Sequence, residues 1–160
     1  MIYAPYKTVK LSKTSYTYDG KEKQPGVTVL DEDGKPIARG EYDLVYPKSA
    51  KNVGKYTVTI KFKNHYVGTE KRTFTINPKG TSVSKVTSPQ KAQLKVTWKK
   101  QATQTTGYQV QYSTDKNFKK GNKTVTVKGA KTTSKTISKL TKGKKYYVRV
   151  RTYKTVNKTN

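Results

Sequence analysis

Phe74-Thr75-Ile76-Asn77-Pro78-Lys79-Gly80-Thr81-Ser82 decides how this chain is read. An alternating apolar and polar pattern runs into Asn-Pro and Lys-Gly, and a second alternation starts at Val83. Proline has no donor for a strand ladder and glycine relaxes the backbone, so a strand ends here and a linker begins. The expectation is an all-β chain of two tandem antiparallel β-sandwiches, residues 1–78 and 82–160, joined by residues 79–81. Modules of about 80 residues lie at the small end of what folds alone.

Upstream, Lys7 to Leu11, Ser15 to Tyr18 and Val27 to Val29 read as short strands divided by Asp19-Gly20 and Pro25. Tyr42, Leu44 and Tyr46 then share a face, as do Tyr56, Val58, Ile60 and Phe62. Downstream, Leu94, Val96 and Trp98 alternate inward. Tyr108, Val110 and Tyr112 do the same, with Gln109, Gln111 and Ser113 outward, and Tyr146, Val148 and Val150 alternate against Tyr147, Arg149 and Arg151. Apolar residues never recur with helical spacing over three turns.

Composition excludes several chemistries. The chain has no cysteine, hence no disulfide and no thiolate nucleophile or ligand. His65 is the only histidine, so no His pair or Ser-His-acid triad can be assembled. Asp31-Glu32-Asp33-Gly34 invites a calcium reading, but Lys35-Pro36-Ile37 offers no late bidentate acid, and an Asp-Gly hairpin turn is expected. Glu41 and Asp43 share a strand face and are read as solvated edge charge, since nothing adjacent in sequence would part their pKa values. No catalytic residue, cofactor or metal ligand is assigned. With no apolar run long enough to cross a bilayer, membrane insertion is not expected.

Charge is the strongest compositional signal. Residues 79–160 hold 21 Lys and Arg against Asp115 alone, whereas residues 1–78 hold 14 against 8 acids. Such a field attracts polyanions. Yet arginine, whose planar fork suits base and phosphate readout, occurs only at positions 39, 72, 149 and 151, so a specific nucleic-acid partner is not expected.

The upstream residues carry a resemblance. Leu11-Ser12-Lys13-Thr14-Ser15-Tyr16-Thr17-Tyr18-Asp19-Gly20, Asn52-Val53-Gly54-Lys55-Tyr56 and Asn64-His65-Tyr66-Val67-Gly68-Thr69 make residues 7–77 resemble the bacterial immunoglobulin-like repeats of Gram-positive surface proteins. Residues 82–156 resemble a fibronectin type III domain. Trp98 stands on the second strand, Gly107 to Tyr112 form the third, and Leu140-Thr141-Lys142-Gly143 with Tyr146 sits where such domains have a tyrosine corner.

The resemblance implies a non-catalytic spacer, display or adhesion module of a secreted or wall-attached protein, extracellular, whose partners are other domains of the same larger protein. An alternative is a polyanion or glycan binder, meeting an anionic cell-wall polymer or a host glycan through Lys99, Lys100, Lys142, Lys144, Lys145, Arg149 and Arg151, with Tyr147 or Tyr153 stacked on a ring. Fibronectin-like modules continue into a seventh strand, and Val156-Asn157-Lys158-Thr159-Asn160 shows no clear one. The sixth, Tyr146 to Tyr153, is therefore expected to present an open edge, filled by residues 154–160, by Met1 to Tyr6 or by another molecule. The chain would then be a monomer or a weak strand-mediated dimer.

Overall fold

The computed structural model describes residues 4–156. The chain divides into two compact units, Met1–Asn77 and Pro78–Asn160. Each is a β-sandwich with its own core.

In the first unit, β1 (Tyr6–Leu11) pairs with β3 (Val27–Asp31) as one sheet. The second sheet has the order β2 (Ser15–Thr17), β6 (Thr69–Asn77), β5 (Gly54–Phe62), β4 (Tyr42–Val45). Strand alternation places Val58, Ile60, Phe62, Phe74 and Ile76 inward against Val9 and Val29 of the facing sheet. Tyrosines extend this core at its margins: Tyr6 stacks on Phe62 with centroids 4.2 Å apart, and Tyr56 on Phe74 at 5.5 Å. β2 runs parallel to β6, while the other ladders are antiparallel. The parallel pairing follows from a sheet switch after β1, fixed where Ser12 N–H donates to Gly26 O at 2.8 Å and Gly26 N–H to Ser12 Oγ at 2.9 Å. Asp31 to Gly34 closes as a hairpin turn. Gly34 takes φ +79°, and Asp31 Oδ1 accepts the Lys35 N–H at 2.8 Å.

In the second unit, the sheet β11 (Ser134–Ile137), β8 (Leu94–Trp98), β7 (Val83–Thr87) faces the sheet β10 (Lys123–Lys128), β9 (Gly107–Ser113), β12 (Tyr147–Tyr153). Val96, Trp98, Tyr108, Val110, Val127 and Ile137 form the core. Its two polar aromatics are satisfied at the core's edge, where Trp98 Nε1–H donates to Thr132 O at 3.1 Å and the Tyr108 hydroxyl to Ala130 O at 2.7 Å. Thr141 N–H donates to the Tyr146 hydroxyl at 3.1 Å, closing the corner expected there. Among the described residues β12 has β9 as its sheet partner. Of the strands proposed to cover its other edge, residues 4–6 are engaged in the first unit, where Ala4 N–H donates to His65 O at 2.8 Å and Tyr6 opens β1. Residues 1–3 and 157–160 lie outside the described residues.

One side chain departs from simple alternation. Ser113 has outward parity, yet it is only 1% exposed because residues 114–122 fold back over it. Its hydroxyl donates to Lys120 O at 2.9 Å and accepts Asp115 N–H at 3.0 Å.

Candidate polyanion interface

The register of β12 on β9 and of β9 on β10 aligns polar side chains in rows across the outer face of the sheet. Arg149 stands opposite Gln111 and Arg151 opposite Gln109; beyond them on β10 stand Thr124 and Thr126. Arg149 Nε–H donates to Gln111 Oε1 at 2.7 Å, and the Gln111 amide donates in turn to Thr124 Oγ1 at 3.2 Å. The second row repeats this: Arg151 Nε–H to Gln109 Oε1 at 2.8 Å, then Gln109 amide to Thr126 Oγ1 at 3.5 Å. Between them lies a shallow hollow of about 360 Å³ lined by Gln109, Gln111, Thr124, Arg149, Val150 and Arg151. Each glutamine fixes its arginine through Nε, and these bonds do not use the Nη edge.

The loop that buries Ser113 also supports Arg149. Phe118, held at φ 53°, lies under the guanidinium with 4.3 Å from Cζ to the ring centroid, a cation–π contact. Asp115 organises this loop: Oδ1 accepts Asn117 N–H at 3.0 Å, and Oδ2 accepts Lys119 N–H at 2.9 Å and Lys120 N–H at 3.2 Å. Those backbone donors hold its carboxyl below the usual range. The one acidic side chain of residues 79–160 is thus spent on loop backbone. Among the described residues neither Arg149 nor Arg151 has a carboxylate partner.

The nine residues singled out by sequence do not converge on one spot. Tyr147, Arg149, Arg151 and Tyr153 form one outward row on β12, with Lys145 Nζ 5.4 Å from the Tyr147 ring centroid. Lys142 and Lys144 line a separate hollow of about 130 Å³ with Tyr146 and Ser88. Lys99 and Lys100 follow β8 at the other end of the sandwich, where Lys99 N–H donates to Ser82 O at 3.1 Å. The two tyrosines of this row each have a neighbour. A Cβ on Gly107 would lie 2.9 Å from Tyr153 Cε1, so that ring lies against the glycine on one side, while Lys145 sits beside the Tyr147 ring. Composition and charge do not point to Gln109, Gln111, Thr124 or Phe118. The available signal was Gln-x-Gln on one outward face against Arg-x-Arg on another, at matching spacing.

In the first unit Glu41 and Asp43 are individually engaged. Glu41 ends a 3-10 turn (Arg39–Glu41) and accepts the His65 backbone N–H at 3.1 Å, with His65 Nδ1 3.1 Å from its other oxygen. Asp43 accepts Lys63 Nζ at 2.7 Å. Hydrogen bonds from His65 and from Lys63 respectively lower the two carboxyls below their ordinary values. Both shift in the same direction, opposite to the divergence an acid and base pair needs. Among the described residues no three His, Cys, Asp or Glu come together to hold a metal ion.

Comparison with known proteins places residues 77–160 in the fibronectin type III domain family. Among solved structures the chain is similar to domains A168–A170 from titin, at 16% identity and a TM-score of 0.34, over 93% of this chain and 61% of that one. No curated protein matches it.

Proposed function

The chain belongs to the fibronectin type III domain family, and from that premise we propose that it serves as a spacer and display module of a bacterial cell-surface or secreted protein. In this reading the first unit is a bacterial immunoglobulin-like repeat, and the partners are neighbouring domains of a larger protein. Membership of that family makes the chain a structural or interaction module. One observation supports the reading as a structural module: carboxylates of both units are engaged in ion pairs and loop hydrogen bonds. Glu70 accepts the Tyr6 hydroxyl at 2.8 Å and pairs with Arg72 at 2.6 Å, Asp19 pairs with Lys23 at 2.6 Å, and Asp115 caps a loop. Immunolabelling of intact producing cells tests the location. Labelling without permeabilisation is expected; labelling only after permeabilisation refutes it.

A second reading, binding of an anionic polymer or glycan, is favoured by the arginine rows on β12 and the charge excess of residues 79–160. Retention on immobilised heparin at physiological ionic strength supports it, and elution below that strength reduces it to a diffuse field.

A further inference from the structure

We infer that the outer face of β10-β9-β12 is a preorganised site for a sulfated polysaccharide lying along β12, with Arg149 and Arg151 each gripping one sulfate ester and the Gln and Thr side chains between them meeting sugar hydroxyls. The inference rests on the polyanion reading above and says where that binding resides and what occupies it.

Three observations carry it. Strand geometry spaces Arg149 and Arg151 about 6.7 Å apart along β12, both on one face. Two long cationic side chains so close repel, and yet each is tied into a fixed row rather than left to diverge, by Gln111 at 2.7 Å and Gln109 at 2.8 Å. Phe118 further restrains Arg149 from beneath. Ordering these side chains before a ligand arrives removes part of the entropy that binding would otherwise cost. Finally, Asp115, the one acid of residues 79–160, is engaged with Asn117, Lys119 and Lys120 N–H and pairs with neither arginine.

The choice of occupant follows from the chemistry of the face. The guanidinium is the more weakly hydrated of the two cationic groups and binds tetrahedral oxyanions with a planar fork. The floor of Gln109, Gln111 and Thr124 offers amides and hydroxyls, which suit a polyol. Single-stranded nucleic acid is held chiefly by aromatic faces on which successive bases stack, and the lining of this hollow, Gln109, Gln111, Thr124, Arg149, Val150 and Arg151, contains none.

The test measures binding of a fluorescent heparin hexasaccharide to the full chain at physiological ionic strength. Arg149→Lys with Arg151→Lys keeps the charge and removes the fork; it is expected to weaken binding by about tenfold. Gln111→Glu, which sets a carboxylate beside Arg149, is expected to do the same. Lys95→Ala with Lys135→Ala removes two charges from exposed positions on β8 and β11 and is expected to change binding by no more than about twofold. Melts followed by Trp98 fluorescence confirm that each variant folds. If the lysine replacements at 149 and 151 bind as the parent does while the parent still holds the hexasaccharide, the site is overturned and the polyanion reading stands. If the parent fails to bind at this ionic strength, both fall. If inorganic polyphosphate or oligothymidylate displaces the hexasaccharide at lower concentration and with the same arginine dependence, a sulfated glycan is the wrong occupant.

Discussion

The Trp98 indole lies against the Tyr108 ring, with centroids 5.2 Å apart and planes inclined at 49°. The two are the largest fully buried side chains of the second unit, and each anchors a different sheet of its sandwich. Replacing Trp98 by Ala removes this bridge and opens a cavity that small neighbours cannot fill, a loss of about 3–5 kcal/mol. Modules of this size have little more than that in reserve. The expected outcome in urea is loss of one of two unfolding transitions by circular dichroism, with the transition of the first unit retained. In the parent, native emission should be blue-shifted; emission like that of free tryptophan would refute the placement.

Gly107 is required for a different reason. A Cβ there would lie 2.2 Å from Val127 O and 2.9 Å from Tyr153 Cε1. The carbonyl belongs to the β9-β10 ladder and cannot retreat without breaking it. Gly107→Ala should therefore destabilise the second unit by about 3 kcal/mol, the upper range for overpacking. Gly80→Ala, where a Cβ meets nothing within 4 Å, is the matched control and should be close to neutral. Equal melts for the two variants would count against the structure at β9.

Acid should weaken the second unit through one side chain. Asn117, Lys119 and Lys120 N–H hold Asp115 below the ordinary carboxylate range when folded. Between the ordinary value near 4 and that lower value, the unfolded state carries more protons than the folded one, so stability rises with pH. The contribution is complete above the unfolded pKa and is lost as pH falls through the folded one. Trp98 is the only tryptophan, so its fluorescence melt reports the second unit alone. The midpoint should hold from neutrality to about pH 4 and decline below it. Asp115→Ala should start lower and lack that decline; an unchanged slope would assign the effect elsewhere.

Strand alternation and punctuation made both sandwiches legible in the sequence, because inward triplets such as Tyr108, Val110 and Tyr112 depend only on local period. Pairing register was not legible. Arg149 meets Gln111 because of where β12 docks on β9, and intervening loops rather than local pattern set that. The same holds for Glu41, just before β4, which meets His65 of the β5-β6 turn, and for the parallel pairing of three-residue β2. Only charge groups Lys99 and Lys100 with Lys142, Lys144 and Lys145, and charge composition carries no information about which end of a sandwich a residue occupies. Ser113 shows a related gap. Parity assigns a side chain to a face of the sheet but is silent on a loop that covers that face.

That covering loop gives the last prediction. Ser113 is the point at which residues 114–122 are fastened to the sheet, since one hydroxyl both donates to Lys120 O and accepts Asp115 N–H. Ser113→Ala removes this partner from the Asp115 N–H and the Lys120 O, both part-buried, which costs about 0.5–1.5 kcal/mol for each bond. The loss should not spread evenly. The core of Trp98, Tyr108 and Val110 is untouched, whereas the loop loses its attachment and Phe118, at φ 53°, loses the support that keeps it under Arg149. Amide exchange should therefore accelerate at Asp115, Phe118 and Lys120 well before it does at Val110 or Val150. The Arg149 Nε–H resonance should sharpen toward the averaged signal of a mobile side chain, while Arg151, with no ring beneath it among the described residues, should keep its contact with Gln109. Equal acceleration throughout the second unit would mean that Ser113 stabilises the sandwich as a whole and that the loop is not a separately held support for Arg149.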